Sequence, residues 1–99
     1  MNEFFDKLGG LWVTAAEKRG ALIAPPALGP TVALELLELA RVAAHTSERR
    51  FAPLSCFMAG VAAERVRKAN PGLDDGDVAE YIQEVRQKLE TGTPQDPGR

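Results

Sequence analysis

The chain is poor in the residues from which most small sites are built. One cysteine, Cys56, one histidine, His45, one tryptophan and one tyrosine stand among its 99 residues. A single cysteine excludes an internal disulfide and a cysteine-based zinc site, and a lone thiol inside an apolar run suits a reducing compartment. Long hydrophobic runs are missing too, for no stretch approaches the ~20 apolar residues needed to cross a bilayer. The start, Met1-Asn2-Glu3-Phe4-Phe5-Asp6-Lys7, lacks the basic region and apolar core of a secretion signal, so a cytoplasmic protein without membrane association is expected. Nor does one sign of charge dominate: 12 basic against 14 acidic residues leave a net charge of −2. Without a broad positive field to attract phosphate backbones or anionic lipid, nucleic acid is not an expected partner.

What is present is an ordinary globular composition, 44% apolar and 26% charged, well above the hydrophobicity of disordered chains. Its apolar residues recur with helical and never with strand periodicity. A first helix is predicted from Asn2 to Lys18, with Phe4, Phe5, Leu8, Leu11, Trp12, Ala15 and Ala16 on one face and Trp12 read as core. Gly9 and Gly10 weaken it, each costing up to ~1 kcal/mol against alanine. Arg19-Gly20 ends it, and an apolar connector with Pro25-Pro26 follows, expected to lie against the other helices.

A second helix is predicted from Pro30, a residue suited to a first helical turn, to about Ser47. Glu35, Glu38, Arg41, His45 and Glu48 share one arc, and apolar residues fill the rest, the pattern of a central helix. The third helix is expected to start at Pro53. Leu54, Phe57, Met58, Val61 and Ala62 lie on one face; Cys56, Ala59, Gly60 and Ala63 form a second face of small side chains, which predicts a close contact with a neighbour. Asn70-Pro71-Gly72 should stop it through left-handed geometry and the missing proline N–H. Asp74 or Asp75 should cap the fourth helix, whose narrow stripe of Val78, Tyr81, Ile82, Val85 and Leu89 places it at the periphery. The polar stretch 91–99 has no apolar anchor and reads as a flexible tail. These patterns predict an all-α fold: a single four-helix, bundle-like domain over residues 1–90, with an apolar connector after the first helix and a tail at 91–99.

The run Leu36-Leu37-Glu38-Leu39-Ala40-Arg41-Val42-Ala43-Ala44-His45, then Glu48-Arg49, then Ala52-Pro53-Leu54-Ser55 with Phe57 and Gly60, resembles a small actinobacterial helical domain of unknown function. The resemblance covers the middle third of the chain and brings His45, Arg49, Pro53, Leu54 and Ser55 onto the family pattern. Arg50 stands where that family often has proline, and Phe51 where it often has alanine. The family occurs alone or fused to the guanylyltransferase that completes the molybdenum cofactor, so the resemblance implies a setting in molybdenum-cofactor biosynthesis.

Two functional readings follow. In the first, the chain is a non-catalytic interaction module that pairs with a protein partner or with itself, using the small face of Cys56, Ala59, Gly60 and Ala63. In the second, Arg49, Ser55, His45 and the first-turn amides from Leu54 to Phe57 converge on a phosphate, carboxylate or nucleotide, because a helix N-terminus offers unpaired N–H groups and positive potential. The plainer role of each residue is a partly exposed surface histidine, an arginine answering the helix dipole, and a serine bonded to nearby backbone. No pair of titratable groups stands at a spacing suited to acid–base chemistry, so neither catalysis nor a metal or other cofactor is expected.

Overall fold

In a computed structural model, residues 3–92 are described. They form four α-helices and no strand: α1 Glu3–Lys18, α2 Pro30–Thr46, α3 Phe51–Ala69 and α4 Asp75–Glu90. The all-α expectation holds. The chain separates into two compact units, Met1–Pro30 and Thr31–Arg99, a division that falls inside the stretch the sequence predicts as one domain.

The first unit is α1 and the connector. Gly20 ends the helix with φ at +79°, donating its N–H to Glu17 O at 3.0 Å while Ala21 N–H reaches back to Ala16 O at 2.9 Å. This pair of bonds satisfies the last carbonyls through a left-handed residue that only glycine adopts without cost. Arg19 adds a third bond, Nη1 to Ala15 O at 2.9 Å. The connector turns back along α1. Gly9 is buried, and a Cβ there would lie 3.2 Å from Pro26 O and 3.7 Å from Pro25 Cβ. The glycine that weakens the helix by propensity is therefore the one that lets the proline pair approach. Trp12, by contrast, does not enter a core: with Phe4 and Leu11 it is more than half exposed. Phe4 and Phe5 meet edge to face at 5.0 Å.

The second unit holds α2, α3 and α4 around Leu39, Val78 and Ile82, with Val32, Leu36, Ala59, Ala63 and Leu89 packed on that cluster. Leu39, Val42 and Ala43 of α2 are buried, as a central helix requires, although Leu34 and Leu37 face solvent. Helix α4 is not peripheral. Val78, Ala79 and Ile82 are all buried, because Ala79 beside Val78 widens the inward stripe beyond what large side chains alone suggest.

The ends of the helices correct two expectations. Helix α3 starts at Phe51, two residues before Pro53, because a tight turn over Glu48 and Arg49 already winds the chain: Phe51 N–H donates to Glu48 O at 2.9 Å and Ala52 N–H to Arg49 O at 3.1 Å. Pro53 then sits within the first turn, where its missing N–H costs nothing. At the other end, Asn70 has φ −140° and ψ 85°, and among the described residues only Gly20 and Gly92 have positive φ. The stop is therefore not left-handed. It comes from Pro71, whose ring drives the preceding residue out of the helical region.

Asp74 caps α4 through a reciprocal pair: its Oδ1 accepts from Asp77 N–H at 2.9 Å, and Asp77 Oδ2 accepts from Asp74 N–H at 3.0 Å. Thr91 and Gly92 belong to the end of this helix, since Thr91 N–H donates to Gln87 O at 3.1 Å and Gly92 N–H to Leu89 O at 3.1 Å. The remainder of the predicted tail, 93–99, lies outside the described residues, as does Asn2.

Candidate functional site

The two predicted sites lie on α3 and the turn before it. At the His45–Ser55 corner, His45 and Arg49 are exposed at the end of α2 and in the turn, and Ser55 is half-buried on α3. They are not brought together by any hydrogen bond or ion pair among the described residues. It is Arg50 that makes the local ion pair, Nε to Glu48 Oε1 at 2.7 Å, with its guanidinium 6.0 Å from the centre of the Phe51 ring. Ser55 instead borders an apolar groove of about 350 Å³ between α3 and α4, shared with Met58, Ala59, Tyr81, Val85 and Leu39.

The amides of the corner are committed as well. Because α3 begins at Phe51, the amides of Leu54 to Phe57 lie past its free first turn. The earlier ones are spent or absent: Phe51 and Ala52 donate to Glu48 and Arg49 carbonyls, and Pro53 has no N–H. The unsatisfied donors that make a helix start attractive to anions are thus used up by the turn that extends the helix.

The small face of α3 points inward. Ala59 and Ala63 pack on the Leu39–Val78–Ile82 cluster, and the Cys56 thiol donates to Leu36 O of α2 at 3.7 Å. Burial pushes the Cys56 pKa up, which keeps the thiol protonated and poorly nucleophilic. Gly60 departs from the expectation. It is exposed, and a Cβ placed on it would meet nothing within 4 Å, so it marks no close approach of helices.

The opposite face of α3 is the exposed one. Leu54, Phe57 and Met58 are 61%, 72% and 71% exposed. They stand at the three- and four-residue steps that align side chains on one helix face, and Val85 of α4, also exposed, borders the same groove as Met58. Helical periodicity had revealed this stripe, but periodicity reads a stripe and not its partner. Two apolar faces on one helix compete for one core; the smaller side chains are the ones packed on the Leu39–Val78–Ile82 cluster, where they let α3 come close to α4.

A second feature that the polar pattern leaves unread is an ionic ladder between α2 and α4. Arg86 Nε donates to Glu35 Oε1 at 3.2 Å, Arg86 Nη1 to Glu90 Oε1 at 3.2 Å, and Arg41 Nη2 to Glu90 Oε2 at 3.5 Å and Glu38 Oε1 at 2.9 Å. Glu38, then Glu90, hold the Arg41 guanidinium above its ordinary pKa by hydrogen bonding and charge. The arc of Glu35, Glu38 and Arg41 is therefore a docking strip for α4. Among the described residues no group of three His, Cys, Asp or Glu side chains could hold a metal ion, and no helix is long and apolar enough to cross a membrane.

A small all-α domain, with its charged arc spent on holding its own helices and a large-residue apolar stripe left facing outward, is the class this fold and surface define. Residues 8–97 match the family described as Domain of unknown function (DUF6457), and the chain belongs to that family. Comparison with curated proteins and with solved structures gives no match.

Proposed function

We propose that the chain is a non-catalytic helical interaction module whose docking surface is the apolar stripe of α3 with the neighbouring edge of α4. The observation that carries this reading is the exposure of Leu54, Phe57 and Met58 side by side. Single exposed apolar residues are normal on a soluble protein; a contiguous patch of large ones marks a contact surface. The face differs from the small-residue one expected from sequence, whose Ala59 and Ala63 serve the core of the chain itself.

The resemblance of the His45–Ser55 segment to a domain found beside the molybdenum-cofactor guanylyltransferase supplies a candidate setting, an accessory role in the cytoplasmic synthesis of that cofactor. Affinity purification of the tagged chain from its own cells, wild type against Phe57→Asp, tests the surface. The expected result is a co-purifying protein that the variant loses while retaining its helical circular dichroism. An identical set of proteins with both would overturn the surface assignment. Titration calorimetry against purified guanylyltransferase tests the setting, and a flat titration would remove it.

A further inference from the structure

Resting on that interaction-surface reading, we infer that the partner presents an amphipathic helix, apolar along one half of its contact face and acidic along the other, lying lengthwise in the groove between α3 and α4. The groove is continuous. About 350 Å³ bordered by Ser55, Val85 and Leu89 runs into about 570 Å³ bordered by Phe57, Val61 and Arg65, and the two share Met58, Ala62 and Tyr81. Arg65 also borders the next recess, with Glu64, Arg67 and Lys68.

Along α3 the exposed face changes character halfway. Projected at about 100° per residue, Leu54, Val61, Arg65 and Lys68 all fall inside the arc bounded by Phe57 and Met58. At ~1.5 Å rise per residue the apolar half, Leu54 to Val61, is about 10.5 Å long, and Val61 to Lys68 is as long again. The positive charge of the second half is uncommitted. Arg65 and Lys68 are exposed and make no ion pair among the described residues. The charges near them are spent or turned aside: Arg67 pairs with Asp75, Asp77 is bonded into the cap of α4, and Glu84 pairs with Lys88. Glu64 falls about 20° outside the arc, beyond Phe57 and opposite the edge where Met58 enters the groove.

This face selects its occupant by shape and charge. Leu54 borders neither cavity yet is 61% exposed beside Phe57 at 72%. A small amphiphile seated in the groove would leave Leu54 in water, whereas a helix about 10–12 Å across covers the ridge and the groove together. An anionic lipid surface needs a broad positive field, which two cations beside Glu64 on a chain of net charge −2 do not make. When two helices pack nearly lengthwise, carboxylates about four and seven residues beyond the partner's last apolar anchor meet Arg65 and Lys68.

A displayed library of helical peptides, with leucine or phenylalanine fixed at i, i+4 and i+7 and the polar turns at both ends randomised, tests this on the immobilised full chain. Selection should enrich aspartate or glutamate at one end only. The enriched peptides should bind the double variant Arg65→Glu, Lys68→Glu at least tenfold more weakly, and selection on that variant should return lysine or arginine at the same positions. Such a reversal is a gain of binding, which an unfolded variant cannot produce. Peptides that are lost on Phe57→Asp but show no acidic bias overturn the acidic helix and leave the interaction surface standing; peptides enriched equally on Phe57→Asp overturn the surface as well. No enrichment at all overturns the helical occupant. So does a dimer in light scattering, or sedimentation with phosphatidylglycerol vesicles, that Phe57→Asp abolishes, since the occupant is then a second copy or a lipid surface.

Discussion

Arg86 of α4 reaches across to Glu35 of α2, Nε to Oε1 at 3.2 Å, with the two side chains only 12% and 18% exposed. It is the most buried ion pair among the described residues, and it joins the two helices that supply Leu39, Val78 and Ile82 to the core. Removing one partner strands a largely desolvated charge. Arg86→Met should therefore cost about 2 kcal/mol, a fall in melting temperature of roughly 8–16 °C for a domain of this size. The double variant Glu35→Leu with Arg86→Met should lose less than the sum of the single losses, because the stranded charge is gone. By contrast Lys88→Ala, which removes an exposed pair with Glu84, should change stability by no more than about 0.5 kcal/mol. Thermal melts of the four variants decide this; strict additivity of the first pair would show that the bridge contributes nothing as a pair.

The cap of α4 should be visible in the pH dependence of stability. The N–H of Asp77, chief among several hydrogen-bond donors, holds the Asp74 carboxyl below the usual carboxylate range. An aspartate whose folded pKa is depressed contributes stability that is fully present above its unfolded pKa, near 3.9, and is lost as the pH falls from there through the lower folded value. Asp74→Asn keeps a capping oxygen and removes the titration. Its melting temperature should fall less than that of the parent between about pH 4 and pH 2, and parallel curves would count against the cap as the source.

Three glycines that look alike in the sequence should behave differently. Gly10→Ala and Gly60→Ala replace helix-interior glycines whose added Cβ meets nothing within 4 Å, so each should stabilise the chain by up to about 1 kcal/mol through helix propensity. Gly9→Ala gains the same propensity but presses on Pro26 O at 3.2 Å and should stabilise less, or destabilise. Gly9→Leu should free the connector, seen as faster proteolysis between Gly20 and Gly29. Equal stabilisation at all three sites would mean that the proline pair does not rest on α1.

The Cys56 thiol should react slowly with a disulfide reagent at neutral pH, since burial raises its pKa and only the thiolate attacks. Unfolding should release the full thiol rate. Because the unfolded thiol ionises near pH 8.5 while the folded one stays protonated, stability should decline as the pH rises past that value. Cys56→Ala should remove that part of the decline. A fast reaction in the folded chain would place the sulfur at the surface.

How much was legible depends on the range of the interaction that decides each feature. The four helices were, because 3.6-residue periodicity, the Gly20 stop, Pro30 at a helix start and the Asp74–Asp77 cap act within a turn or two of chain. The start of α3 was missed by two residues because the turn over Glu48 and Arg49 winds into the helix without a side-chain cap at Arg50. His45, Arg49 and Ser55 are close in sequence and looked convergent, but the turn spends the amides on its own carbonyls and α3 turns Ser55 to the apolar groove with Met58 and Tyr81.

By itself the sequence determined that this protein is helical, that it has four helices, and that α3 has a small-residue and a large-residue face. Which face entered the core only the tertiary structure decided. Ala59 and Ala63 pack on the Leu39–Val78–Ile82 cluster and Cys56 reaches Leu36 O, since small side chains let α3 come close to α4 and fill that seam without voids. Leu54, Phe57 and Met58 were thereby left outside. The same packing turned the charged arc of α2 inward on α4, because Arg86 and Glu90 could pair with Glu35 and Arg41 only once the two helices lay side by side. Periodicity reports that a face exists; only the competition among faces for one small core says which of them meets water.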